Sequence, residues 1–568
     1  MSSSSTPSTS PSSSASLLSS GGFSRRSALG AGLAVAGTGL LAACSGDPAP
    51  SPGAAYVSPH GPEVAAAEAK RTPGKGGPVR TVKLTATPAT VDLGAGRTVR
   101  TWAYGDDLPG KEVRVTAGDT LALTLANHLP QTTSLHWHGL ALRNDMDGVP
   151  GVTQPEIKAG AEFAYRFTVA HPGTYWFHPH SGTQQDRGLY APLIVEDPKE
   201  PLTYDKEWVV VLDDWVDGVD GSTPEAVLAE LRQGMGGMDG MDGGEGHDMG
   251  NMPGMDHGSG HSGHSMSMTR SGSGSAAGDS AAGGSATSAP PTGPSRMMMG
   301  ATSELLGGDA GDVNYPYYLI NGRIPDAPSE FRAKPGDRVR IRFVNAGGDT
   351  AFRVALGGHE MTVTHTDGFP VTHAKTDALL LGMGERYDVL VTVKDGVFPL
   401  TALAEGKRAT GLALLRTGKG AAPAPPVRPK ELDGRVLTAD RLKPAPGTAL
   451  AARTPDRTIR IRLTGGMMKY DWGFDGRPYD PARRYDVSAG ERVRIEFTNG
   501  TSMWHPLHLH GHTFALGSGV RKDTAVILPG RKLTMDFDAD NPGLWMIHCH
   551  NVYHSESGMM TTLGYRAK

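Results

Sequence analysis

Residues 113–128 read VRVTAGDTLALTLANH, residues 331–346 read FRAKPGDRVRIRFVNA, and residues 485–500 read YDVSAGERVRIEFTNG. In each, a short alternating strand runs into a Gly-Asp or Gly-Glu turn. A second alternating strand follows and closes at Asn127, Asn345 or Asn499. Alternation at period two puts apolar side chains on one face of a strand, and glycine beside an acidic residue is turn chemistry. Three copies, with no convincing amphipathic helix between them, predict an all-β chain of three β-sandwich domains of one ancestry. Three copies are too few for a propeller. The expected domains are residues 78–200, 205–420 and 430–568.

A length of 568 residues suits that number of domains. The net charge of -4 gives no electrostatic case for nucleic acid or an acidic membrane surface as partner. The only cysteines are Cys44 and Cys549, so a disulfide framework is not the organising principle. Residues 1–43 read as an export signal. Arg25-Arg26 precedes a mildly apolar Ala/Gly/Leu run that ends in Leu41-Ala42-Ala43-Cys44, the twin-arginine pattern. The run is too short and too weakly apolar for a permanent span. Leu-Ala-Ala-Cys resembles a bacterial lipoprotein signal, in which the cysteine is acylated; the plainer alternative is a cleaved signal with Cys44 incidental. The expectation is an extracytoplasmic protein on the outer face of the cytoplasmic membrane, touching lipid only through that anchor. Residues 44–77, rich in Pro, Gly and Ala, read as a flexible tether.

The chemistry lies in paired histidines. The first domain carries His136-Trp137-His138-Gly139 and, 42 residues on, His178-Pro179-His180. The third carries His508-Leu509-His510-Gly511 and, 40 residues on, His548-Cys549-His550. Residues two apart on a strand share a face, so each pair presents two imidazoles side by side. Eight imidazoles exceed what one four-coordinate zinc site uses and suit several metals shared across a domain interface. Aligning PGTYWFHPHSGTQQDRGL (172–189) with PGLWMIHCHNVYHSESGM (542–559) shows what differs. The third domain alone has Cys549 against Pro179, His554 against Gln184 and Met559 against Leu189. Likewise His505 stands against Thr133. Two His, a Cys and a Met are the ligand set of a blue-copper site, which the first domain has no means of holding. The middle domain lacks such pairs and reads as a spacer, its His359, His365 and His373 being ordinary core or surface residues.

On these motifs, residues 78–568 resemble the multicopper oxidase family, which implies three cupredoxin-like Greek-key β-sandwiches and four copper ions. The resemblance implies that His136 and His508 bind the type 2 copper. It assigns His138, His178, His180, His510, His548 and His550 to the type 3 pair. His505, Cys549 and His554 would hold the type 1 copper, with Met559 as weak axial ligand. Cys549 points to the opposite face from His548 and His550, so an electron arriving at the thiolate is a few bonds from the cluster where dioxygen is reduced. Family members relay protons through a carboxylate, and Asp147 matches that position; its other reading is a turn aspartate before Gly148. Many relatives carry Glu directly after the last type 1 histidine, whereas here that residue is Ser555 and Glu556 is next, the candidate for a second relay acid.

Residues 232–302 form a low-complexity insertion expected to stay disordered. Eleven of the 22 methionines fall between Met235 and Met299, interleaved with His247, His257, His261 and His264. Thioethers prefer Cu(I), so the stretch reads either as a copper collector or as a tolerated linker. Met-rich insertions resemble the copper-resistance branch of the family, as do Tyr318-Leu319-Ile320-Asn321-Gly322 and His550-Asn551-Val552-Tyr553-His554. Three functions stay open: oxidation of Cu(I) by dioxygen, a laccase-like oxidation of phenols or aromatic amines at a cleft beside His505, and copper buffering without turnover. Retention of the whole ligand set speaks against the last. A monomer is expected.

Overall fold

The computed structural model describes residues 55–71, 76–235 and 293–568. The export and lipidation signals and the four insertion histidines lie outside the described residues. Three two-sheet sandwiches follow one another along the chain and share one plan. In the first sheet of each, an early strand pairs parallel with the second repeat strand, which pairs antiparallel with a later one. These are Val79–Gly94, Thr120–Asn127 and Glu162–Thr168; Lys206–Trp215, Arg338–Asn345 and Arg386–Thr392; and Arg457–Thr464, Arg492–Asn499 and Lys532–Asp538. In the second sheet, the first repeat strand pairs parallel with the domain's last long strand, as Val113–Thr116 does with Ala191–Glu196, Ser329–Arg332 with Ala409–Arg416, and Arg484–Val487 with Met560–Tyr565. The two strands of each repeat therefore do not pair with each other. Their turn carries the chain from one sheet across to the other. The architecture is the all-β, cupredoxin-like one expected.

Period-two alternation positions the cores. Leu121, Leu123 and Leu125 face Tyr165 and Phe167 in the first sandwich, and Val493, Ile495 and Phe497 face Met535 and Phe537 in the third. The middle sandwich departs from the pattern, because Arg338–Asn345 is buried on both faces after its first residue. Its Arg340 and Arg342 both bind Asp388, at 2.6 and 3.0 Å, and Thr174 of the first domain donates to the same carboxylate. Covering the polar face of that sheet with another domain requires such pairing, since an unpaired buried charge is costly.

Three expectations need correction. Residues 55–71 are not a loose tether. Tyr56 bridges Arg566, Val57 N–H donates to Tyr565 O, and Pro62–Arg71 forms a helix that buries Val64 and Ala67. Glu68 accepts from Thr168 N, and Arg71 donates to Asn541, so this segment straps the first domain to the third. Secondly, residue 430 is too early for the third domain. Val436–Leu437 adds a parallel strand to Ala378–Leu381 of the middle domain, where apolar partners are available. Thirdly, the insertion's flanks are ordered. Arg296 is buried and donates to Ser222, Met297 bridges Val313, and Met235 N donates to Met467 O.

Candidate metal centre

Strand pairing brings the histidine pairs together. His136–His138 lies antiparallel to Gly173–His178, and His505–Leu509 lies antiparallel to Leu544–Cys549. The two arrays face each other across the interface between the first and third domains. His136 stacks on His510 with ring centroids 3.7 Å apart, and His138 stacks on His508 at 3.8 Å. His180 Nε2 and His510 Nε2 lie 3.4 and 3.1 Å from His548 Nε2. His550 sits 4.9 Å from His138 and 5.2 Å from His178, centroid to centroid. All eight rings thus form one cluster.

These rings are built to present lone pairs. His136, His178, His508 and His548 donate Nδ1–H to the carbonyls of Asp147, Pro179, Asp523 and Cys549 at 2.8–3.0 Å. His510 donates to Asp147 Oδ2 at 2.9 Å. Fixing the proton on Nδ1 leaves Nε2 as acceptor. The Nε2 atoms of His136, His178 and His508, and both nitrogens of His550, are buried with no hydrogen-bond partner. Burial, reinforced by neighbouring imidazoles, holds His138, His178, His180, His510, His548 and His550 well below the usual range. Buried orphan acceptors are expensive unless a cation takes them; the donor set fits copper.

A second centre has the opposite tautomers. His505 Nε2 bonds Thr501 Oγ1 at 2.8 Å and His554 Nε2 bonds Asp312 Oδ2 at 2.9 Å, which turns both Nδ1 atoms toward Cys549 Sγ at 3.5 and 3.7 Å. Burial alone would depress His554, but Asp312 and the Cys549 thiol bring it up to about 10. Met559 is buried, and its backbone bonds both Cys549 and His554. In the first domain the counterparts of His505 and His554 are bonded directly to each other, Thr133 Oγ1 to Gln184 Oε1 at 2.7 Å.

Asp147 is fully buried between His136 and His510, with Oδ1 unpartnered. Glu556 lies on the other side, half-buried, lining a cavity of about 20 Å³ with His178, His180, His548 and His550, room for about one water. Burial raises its carboxyl. In the middle domain His359 Nδ1 bonds Gly357 O and Nε2 accepts from Lys394 N, His365 bonds Thr364, and neither joins the cluster. Sequence reading missed Asp312, Asp523 and Arg386. Asp523 had one available signal, a Lys-Asp pair opening the otherwise apolar strand Thr524–Ile527. Asp312 had none, since its position follows the insertion.

Matches to the multicopper oxidase family cover residues 85–200, 296–420 and 452–567. The chain is 46% identical to multicopper oxidase MmcO of Mycobacterium tuberculosis, over 96% of this chain and 97% of that one. It is 29% identical to a copper resistance protein A homolog of Pseudomonas syringae pv. tomato, over 82% and 89% of the two chains. The crystal structure of Fet3p, a multicopper oxidase that functions in iron import, superposes with a TM-score of 0.64 at 20% identity, covering 86% of this chain and 90% of that one. Fold, ligand chemistry and sequence agree: the chain belongs to the multicopper oxidase family, copper-dependent oxidoreductases that use dioxygen as acceptor.

Proposed function

We propose that the chain oxidises Cu(I) outside the cytoplasm and so protects the cell from copper. The observation that carries this reading is where the methionine-rich stretch is rooted. Its first end is tied by Met235 N to Met467 O, and its second by Met298 N to Asp312 O at 2.7 Å. Asp312 is the carboxylate bonded to His554. Met299 and Met468, next in sequence to the anchors Met298 and Met467, are exposed, so soft thioethers are offered to solvent where the stretch is rooted. His505 and His554 are themselves buried, and Trp472 lies 4.1 Å from the His554 ring. A bulky phenol gains no contact with either ring, and a Cu(I) ion gathered by the flanking methionines would pass its electron inward by way of Asp312, which is itself buried against His554. The name of the copper resistance relative supports the same reading.

In this proposal His505, Cys549, His554 and Met559 would hold the type 1 copper, His136 and His508 the type 2, and the other six histidines the type 3 pair. When bound, the coppers would take electrons singly from the reductant and deliver four to dioxygen. Asp312 holds the His554 ring and conducts to it. Cys549 joins the two centres through its neighbours His548 and His550. Asp147 fixes His510 and turns its other oxygen toward His136, 3.2 Å away, as the first candidate relay acid, and Glu556, lining the cavity, is the second. The twin-arginine residues and the Leu41–Cys44 lipoprotein signal would place the enzyme on the outer face of the cytoplasmic membrane; Cys44→Ala should release it or leave it unprocessed.

Oxygen uptake by copper-loaded protein, with Cu(I) or a substituted phenol as reductant, tests the assignment. Full-length protein should prefer Cu(I), and deleting residues 236–292 should raise KM for Cu(I) alone, as expected for lost capture. Equal kinetics with and without the segment would shift the assignment to a laccase-like oxidase.

A further inference from the structure

The middle domain supplies none of the cluster's imidazoles, yet it reaches into the cluster. Its strands Ala378–Leu381 and Arg386–Thr392 are joined by a turn that lies against two of the rings. An added Cβ at Gly384 would stand 2.9 Å from His138 Nε2 and 3.0 Å from His550 Cδ2. Two residues on, the Arg386 guanidinium is wholly buried. It forms a fork with Asp523 of the third domain at 2.7 and 2.6 Å, and donates to Thr174 O of the first at 3.1 Å. His138 Nδ1 lies 3.4 Å from Arg386 Nη1 and 3.4 Å from Asp523 Oδ1. His508 Nδ1 lies 3.5 Å from the same carboxylate oxygen. Gly139, at φ +88°, leaves room for the pair, since a Cβ there would meet Asp523 Oδ2 at 2.6 Å.

We propose that Arg386 is a positioning residue of the histidine cluster: held in the middle domain, it fixes the Asp523 carboxylate and, through it, the tautomer and tilt of His138 and the tilt of His508, whose Nδ1–H goes to the Asp523 carbonyl. Of the two neighbours of His138 Nδ1, only Asp523 can accept a proton from it, and that donation leaves Nε2 as the ligand atom. A guanidinium fork sets the carboxylate plane in a way that a point charge does not. Asp367 joins this pair to a neighbouring one: it lies 3.4 Å from Arg386 and, with Glu385, binds Lys522 at 3.1 Å each. The Arg386 pair differs in facing ligand rings. The inference rests on the copper assignment proposed above.

The test uses full-length, copper-loaded Arg386→Lys, Arg386→Met and Asp523→Asn. Each is challenged with a chelator while the blue absorption reports type 1 copper, the paramagnetic resonance signal reports type 2 copper, and thermal unfolding reports the fold. Loss of an outer partner of a metal ligand costs about 10–100-fold in metal affinity. Cluster copper should therefore leave about 10–100-fold more readily, with an altered type 2 signal and an undiminished blue band. The Arg386→Lys/Asp523→Asn double variant should be no worse than the worse single one. If the Met variant fails to fold, the Lys and Asn variants, which preserve bulk, decide the matter. A Lys variant with wild-type type 2 signal and chelator resistance overturns the proposal. So does parallel loss of blue band, cluster copper and thermal midpoint, which would mark a structural role. Wild-type protein that takes up no copper would overturn the copper assignment and this inference with it.

Discussion

Asp312→Asn isolates the charge through which an electron is proposed to reach His554. The carboxylate is buried, and its Oδ2 accepts from Tyr470 Oη at 2.8 Å and from His554 Nε2 at 2.9 Å. Asparagine has nearly the same shape and can still accept from His554, so packing and ring orientation should survive. The charge does not. Hydrogen bonds to a charged partner contribute about 1.5–3 kcal/mol and neutral ones about 0.5–1.5 kcal/mol, so the two bonds together lose about 2–3 kcal/mol. If that loss is felt in the step that delivers the electron, kcat/KM for Cu(I) falls by up to about 100-fold, at 1.36 kcal/mol per decade. The assay is anaerobic stopped-flow reduction of the blue band by Cu(I) and by a phenol, after matching copper content and resting absorption to wild type. The phenol rate should change by less than about threefold, an order-of-magnitude allowance for one altered neighbour. Equal falls for both reductants, or no fall for Cu(I), would refute the route through Asp312.

Replacing Cys549 with Ser should remove the blue colour and oxidase activity together, whereas Met559→Leu should keep the copper and raise its reduction potential, because only a weak donor is withdrawn. Glu556 is raised by burial, so its proton is available at low pH and lost as pH rises through the folded value. Glu556→Gln should lower oxygen reduction by about 100-fold at acidic pH, and the two profiles should converge on the alkaline side. By the same sign, the stabilising contribution of Glu556 is full at low pH and fades as pH rises through its folded value; the variant should lack that slope in its unfolding profile. Lys407 is buried on Asp349, which also takes Asn551 Nδ2 at 2.7 Å, and Asn551 caps the helix Val552–Glu556 that carries His554. Lys407→Met should cost about 3–5 kcal/mol in denaturant unfolding and disturb the blue band more than the type 2 signal.

The repeats and the His-x-His pairs were legible because both are local. Period-two alternation states which face is buried, and a two-residue spacing states that two rings share a face. The contrast of Cys549 with Pro179 and of His554 with Gln184 needed only an ungapped alignment. What stayed hidden was set by contacts between domains. Arg340 and Arg342 break the alternation because a second domain covers their face. Asp312 and Arg386 act on rings 242 and 248 residues away, a separation that no local pattern encodes. Residues 55–71 looked like a linker by composition, yet a few backbone bonds to the last strand and three buried side chains, Val57, Val64 and Ala67, are enough to fix them.

In the stacked imidazoles, the first histidine of each domain's leading pair lies on the second histidine of the other's: His136 on His510, and His508 on His138. Reciprocal contact of this kind is the signature of a two-fold axis, as in the isologous interface of a symmetric dimer. One covalent chain therefore carries an internal pseudo-dimer, with the eight rings gathered about its axis. The symmetry is broken at the four positions where Thr133, Pro179, Gln184 and Leu189 of the first domain correspond to His505, Cys549, His554 and Met559 of the third. A fully symmetric pair would have two equivalent ports for electrons. On the proposed copper assignment, closing one side with the Thr133–Gln184 hydrogen bond would leave a single port, and current through the pseudo-dimer would have a fixed direction.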